Sequence, residues 1–234
     1  VTTLLPPLSS FRAILFDLDN TLLDHDHAAH FGVIDWSHTL GIAADPARWA
    51  AIERKYFLAF ERGELSHDQQ RYMRIREYLN RPELTDSQAG ELFSDYISRY
   101  RKALIQIPFA AQTLAKALTL VDAGNVTVGI LTNGASALQK QKMRVAGLWD
   151  DRLVMLAAKE LGSAKPNLQC YTRALTAINV APQDAIVIGD DLNNDVVGPL
   201  SAGLSAIYFA RDGKNSAAAP PEVPVISQLA ELVW

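Results

Sequence analysis

Arg12-Ala13-Ile14-Leu15-Phe16-Asp17-Leu18-Asp19-Asn20-Thr21 decides the fold. Its apolar residues run without interruption into a carboxylate, the pattern of a strand buried on both faces that delivers a functional group at its C-terminal end. Comparable runs recur at 126–131, 185–188 and 204–209. Between them, 110–123, 135–146 and 168–178 carry apolar residues at helical spacing. Strands alternating with helices make βα units, and βα units make a parallel sheet.

Residues 24–107 read differently, because they contain no comparable β-branched run. Segments 36–40, 47–60, 67–79 and 87–100 show apolar residues three and four apart, separated by Gly41, Gly63 and Arg81-Pro82. Asp45 before Pro46 and Ser66 before His67-Asp68 are expected helix starts, the first with proline at the first helical position. Trp36, Trp49, Tyr56, Phe57 and Phe60 are expected to form the core of this block. A helical block, 24–107, thus interrupts an α/β domain made of 1–23 and 108–234. Ser216–Pro221, a low-complexity stretch within 211–224, reads as a surface loop before a terminal helix over 226–233.

Composition narrows the function classes. With 49% hydrophobic and 21% charged residues, the 234-residue chain has the balance of a globular protein that buries a full core. Twenty-two basic against 26 acidic residues leave a formal charge of −4 with no block of like charges, which argues against a nucleic-acid or anionic-lipid footprint. A single cysteine, Cys170, forms no internal disulfide and fits a reducing compartment. The opening Val1-Thr2-Thr3-Leu4-Leu5-Pro6-Pro7 lacks the charged start of a signal peptide, and no stretch has the length of a membrane span, so a cytoplasmic protein is expected.

Open α/β sheets bind ligands beyond the C-terminal ends of their strands. Four places qualify: Asp17-Leu18-Asp19-Asn20-Thr21, Thr132-Asn133-Gly134, Lys165-Pro166, and Gly189-Asp190-Asp191-Leu192-Asn193-Asn194-Asp195. Taken singly they are weak: Thr132-Asn133-Gly134 reads equally as a turn and helix cap, and Lys165-Pro166 as a surface pair. Together and in this order they resemble the four motifs of the haloacid dehalogenase-like hydrolase superfamily, across nearly the whole chain. The resemblance implies a Rossmann-like parallel sheet sandwiched by helices, with 24–107 as a helical cap inserted between the first two motifs.

It also implies roles. Asp17 would attack phosphorus to give an aspartyl-phosphate, and Asp19 would protonate the leaving alkoxide and then deprotonate water. Mg²⁺ would be held by the Asp17 carboxylate, the Asp19 backbone carbonyl and Asp190, hard oxygen donors that suit it. Thr132, with the backbone N–H groups of Asn133 and Gly134, would bind phosphoryl oxygens, and Lys165 would stabilise their charge. Asp195 would orient the groups around the metal or Lys165; Asp191 would assist there or face solvent. Arg62, in Glu61-Arg62-Gly63-Glu64, is expected to reach a second anionic group of the substrate, with a solvated loop arginine as the competing reading.

Dehalogenases of the superfamily lack the second aspartate, since halide leaves without a proton, so Asp19 argues for an oxygen leaving group. The expected reaction is hydrolysis of a small phosphate monoester, nucleotide- or sugar-phosphate-like, by a monomer or homodimer. A sugar phosphomutase, a hydrolase acting on another leaving group, and a non-enzymatic binding protein are the rivals. Asp24-His25-Asp26-His27 with His30 resembles a transition-metal cluster but reads better as a polar hinge, since no cysteine or distant histidine pair completes a site.

Overall fold

The computed structural model describes residues 4–124, 126–213 and 216–234. Val1, Thr2 and Thr3, and two residues of the 211–224 stretch, Lys214 and Asn215, lie outside them. The chain divides into two compact units, Val1–Asp24 with Gln106–Trp234, and His25–Ile105.

The first unit is a six-stranded, wholly parallel sheet in the order β3-β2-β1-β4-β5-β6. Its strands are β1 (Ala13–Phe16), β2 (Thr127–Thr132), β3 (Val154–Ala157), β4 (Ala185–Gly189), β5 (Ser205–Phe209) and β6 (Val225–Ile226). Strand β1 is central and entirely buried, as its unbroken apolar run requires. Phe16 lies opposite both Ile130 and Ile188, and the Asp17 N–H still donates to the Ile188 carbonyl at 2.9 Å. Three adjacent strands therefore end together, at Asp17, Thr132 and Asp190.

The second unit is helical: α1 (His25–Thr39), α2 (Pro46–Glu61), α3 (His67–Leu79) and α4 (Asp86–Lys102). Its starts are chemically marked. The Asp45 carboxylate accepts from the Arg48 N–H at 2.9 Å, and Ser66 with Gln69 and Thr85 with Gln88 form reciprocal capping boxes. Trp36, Trp49, Tyr78 and Tyr96 form the aromatic core, and the Trp49 indole N–H donates to the Tyr96 hydroxyl at 3.0 Å. Tyr56 is buried with them, whereas Phe57 and Phe60 pack on each other half-exposed.

In the first unit α5 (Ala110–Asp122), α6 (Ser136–Val145), α7 (Ala158–Leu161), α8 (Leu168–Ile178) and α9 (Gly198–Ser201) connect the strands. The apolar stripe of α8, including Cys170, Tyr171, Ala174 and Leu175, packs on Ala13, Leu15, Leu131 and Val187. Each fully buried aliphatic side chain there contributes about 1.5–3 kcal/mol. Burial pushes the Cys170 thiol up to about 11, so it is a packing residue. The Asp24 carboxylate, buried at the end of the segment that follows β1, accepts from Arg211 at 2.6 Å.

One expectation fails. The terminal helix over 226–233 does not form; β6 and a short 3₁₀ turn, Leu229–Glu231, stand there instead. Pairing with β5 holds the tail extended, the Ala210 N–H donating to the Ile226 carbonyl and Leu8 to Val233. The Asp24–His30 stretch carries the division between the two units, which falls after Asp24. Helix α1 begins at His25, whose Nδ1 hydrogen-bonds the Tyr100 hydroxyl at 2.9 Å and whose Nε2 lies 3.4 Å from Glu53. Among the described residues, no helix is long and apolar enough to cross a membrane.

Candidate active site

The end of β1 delivers Asp17 as a nearly buried carboxylate. Lys165, 2% exposed, donates from Nζ to Asp17 Oδ1 at 2.7 Å and to Asp195 Oδ1 at 2.6 Å. Its backbone is clamped by the Asn133 side chain, which accepts from the Lys165 N–H at 2.7 Å and donates to its carbonyl at 2.9 Å. The Asn133 amide thus positions the lysine.

Asp195 is carried by a π-helical turn, Leu192–Val197. The Asp191 carboxylate caps that turn, accepting from the Asn193 and Asn194 N–H groups at 2.9 and 2.8 Å, while the Asp191 N–H donates to Asp195 Oδ2 at 3.1 Å. Tyr171 donates its hydroxyl proton to the Asn194 carbonyl and secures the turn from the α8 side. Gly189 is required here by close approach: a Cβ would collide with the Asp195 carboxylate. Gly189→Ala is therefore expected to cost about 1–3 kcal/mol through displacement of Asp195, measured as a lowered melting temperature.

Electrostatically the cluster is under load. Burial pushes Asp17 up to about 7, with the Lys165 ammonium pulling it down and the Asp195 carboxylate adding to the rise. Burial and the neighbouring Asp17 and Asp195 charges raise Asp190 well above the usual carboxylate range, and burial raises Asp195. For Lys165 burial opposes the charge, yet the Asp17 and Asp195 carboxylates outweigh it and hold the group protonated. Three carboxylates against one ammonium leave two negative charges uncompensated in ionised form. Asp17, Asp190 and Asp195 each offer an oxygen, all within 4.8 Å of one another. A cluster of hard oxygen donors with that charge fits a cation such as Mg²⁺.

Asp19 stands beyond the strand in a turn closed by Asn20, which takes the left-handed conformation at φ 66°. Thr21 donates to Asp190 Oδ1 at 3.3 Å. Thr132, the last residue of β2, is buried; its Oγ1 accepts from Gln139 Nε2 at 2.7 Å and from the Gly134 N–H at 3.3 Å. Two lone pairs so occupied direct the single hydroxyl proton to a third partner. Gly134 has to lack a side chain, because a Cβ would run into the Gln139 amide.

Asp17, Asp190, Asp195 and Lys165 are brought together, with Thr132, Asn133 and Gly134 tied in from β2. Arg62 stands in the helical unit, exposed and ion-paired with Glu64 at 2.5 and 2.9 Å. Two site residues escape the sequence reading: Gln139 and Lys142 of α6. Their signal is a polar pair three residues apart on the helix directly after Thr132-Asn133-Gly134, hence on one face of it.

Residues 11–203 match the haloacid dehalogenase-like hydrolase family. The chain is 28% identical over 199 residues to pyrimidine 5'-nucleotidase YjjG of Escherichia coli, covering 84% of each. It is 30% identical over 178 residues to a phosphoserine phosphatase of Thermus thermophilus, covering 75% of this chain and 68% of that protein. Among solved structures, magnesium-bound YfnB of Bacillus subtilis superposes with a TM-score of 0.80 at 22% identity, covering 94% of this chain and 96% of the other.

Proposed function

The chain belongs to the haloacid dehalogenase-like hydrolases and is a phosphatase, and from that premise we propose that it hydrolyses a small phosphate monoester with Mg²⁺ through an aspartyl-phosphate on Asp17. The observation that carries this reading is the Asp17 carboxylate at the end of the central strand, bonded to Lys165 and within 4.8 Å of Asp190 and Asp195 oxygens.

In the first transfer an Asp17 oxygen attacks phosphorus. The P–O bond to the leaving group breaks, and Asp19 gives its proton to the departing alkoxide. Thr132 donates its hydroxyl proton to a phosphoryl oxygen, and Lys165 balances the charge that collects on the equatorial oxygens. In the second transfer Asp19 takes a proton from water, whose oxygen attacks the same phosphorus; the bond to Asp17 breaks and inorganic phosphate leaves. Mg²⁺, held by Asp17, Asp190 and the Asp19 backbone carbonyl, would supply the positive charge that lets an anionic substrate approach three acids.

Nucleotide and sugar phosphates fit this reading, and YjjG and the phosphoserine phosphatase support a small phosphorylated metabolite as substrate. We assign the choice among them to the helical unit, His25–Ile105, as an inserted cap. The free, buried Cys170 supports a reducing, cytoplasmic setting.

A panel of phosphorylated metabolites, assayed for phosphate release with Mg²⁺ and with excess chelator, tests the reading. Release on at least one substrate that falls at least about 100-fold with chelator is expected. Mg²⁺ at 100 times its dissociation constant should also stabilise the chelator-treated protein by about 2.7 kcal/mol, seen as a higher melting temperature. Release that survives chelator would remove the metal from the mechanism. Interconversion of sugar phosphates without free phosphate would make the enzyme a mutase.

A further inference from the structure

Asp19 lies outside any helix or strand, and its carboxylate is a third exposed, so the loop backbone alone does not fix its direction. Helix α6 does. Lys142 Nζ donates to both Asp19 oxygens, at 2.6 and 2.8 Å, and Gln139 Nε2 donates to Asp19 Oδ2 at 3.3 Å. Gln139 Nε2 also donates to Thr132 Oγ1 at 2.7 Å, so one amide spans the aspartate and the threonine. Gln139 is 4% exposed and the Lys142 side chain 15%, while Ala137, Gln141 and Arg144 of the same helix face solvent. Withdrawing an ammonium from water is costly unless its partner geometry compensates, and here the partner is Asp19.

We propose that Lys142 and Gln139 are positioning residues for the proton transfers at the leaving group: α6 sets the direction of the Asp19 carboxylate and its spacing from the hydroxyl of Thr132. The inference rests on the reading of Asp19 as acid and base. A carboxyl group has about four lone-pair directions, and three N–H donors from one helix face determine how they are oriented. A carboxyl released from them loses the alignment that proton transfer to a departing oxygen requires.

The test uses leaving groups. The Mg²⁺-loaded enzyme, Lys142→Met, Lys142→Arg and Gln139→Leu are assayed on an alkyl phosphate that the wild type hydrolyses and on p-nitrophenyl phosphate, whose phenolate departs without a proton. Lys142→Met is expected to lower kcat on the alkyl ester about 10- to 100-fold, with KM changed less than about threefold. On p-nitrophenyl phosphate the first-turnover burst of phenolate should slow by no more than about threefold, because that release takes no proton from Asp19, whereas the hydrolysis of the phosphoenzyme that follows is common to both esters. Lys142→Arg, which can grip both oxygens, recovers most of the alkyl activity, and Gln139→Leu shows the same leaving-group bias as Lys142→Met. In an Asp19→Ala background, Lys142→Met should change kcat less than about twofold, because the carboxylate that Lys142 orients is already gone.

Equal losses in first-turnover leaving-group release from both esters, or a full Lys142→Met loss persisting in Asp19→Ala, would overturn the proposal and make Lys142 a substrate contact or a support of the fold. A wild type that hydrolyses both esters alongside an unimpaired Lys142→Met overturns this inference alone. A wild type that hydrolyses no phosphate ester overturns the phosphatase reading and this inference with it.

Discussion

Asp17→Asn is expected to abolish turnover, with kcat down by on the order of 10⁴-fold or more, while the protein stays folded. Asparagine has the shape of aspartate and keeps a carbonyl oxygen for the Lys165 ammonium, which now stands 2.7 Å from Asp17 Oδ1. What it loses is nucleophilicity, because an amide oxygen does not form the phosphoenzyme. The variant also relieves the site. Asp17 is pushed up from 3.8 to about 7 in the folded protein. Between those values the native state therefore binds more protons than the unfolded chain, so the ionisation of Asp17 lowers stability as pH rises from about 4 to about 7. In chelator at pH 8, Asp17→Asn should melt at or above the wild-type temperature. Turnover close to wild type in this variant would remove Asp17 from the chemistry. A lower melting temperature would mean that the carboxylate supports the fold.

Lys165→Met is the opposite case and has the largest expected effect on stability. It deletes the ammonium that touches both Asp17 and Asp195 and leaves two buried carboxylates without their shared cation. Breaking a buried ion pair from one side costs about 3–5 kcal/mol, which for a chain of this size lowers the melting temperature by roughly 6–20 °C. The deficit should depend on pH. Without the lysine both carboxylates rise further above the unfolded value, the native state holds extra protons over a wider range, and stability falls more steeply as pH increases. Melts in chelator at pH 5 and pH 8 should therefore differ more for the variant than for wild type. Adding Asp17→Asn to Lys165→Met removes one of the stranded charges and should restore part of the loss. A variant as stable as wild type at pH 8 would show that the buried charges find other compensation.

The parallel sheet was legible because β1, β2, β4 and β5 are buried on both faces, and burial on both faces leaves an uninterrupted apolar run. The helices of the second unit were legible for a different reason: Asp45, Ser66 and the glycines and prolines between segments mark starts and stops locally. Strand β3 went unread, since it is four residues long and stands at the sheet edge. The tail was misread as helix because Ile226 to Val233 has helical spacing, while the pairing that holds it extended comes from β5, some twenty residues earlier. Local pattern cannot register a partner so distant in sequence.

For the site, sequence by itself determined which strand ends carry acids and a threonine, because a buried strand leaves its chemistry only at its end; Lys165 stands instead in the loop between α7 and α8. It did not determine who binds whom. Asn133 holds the lysine backbone, and the Lys165 ammonium bonds Asp17 and Asp195. Lys142 holds Asp19 from 123 positions away. Tertiary structure alone decided these pairings, since hydrogen bonds of under 3 Å depend on how β1, β2 and the helix after β2 pack, and packing is a property of the whole core.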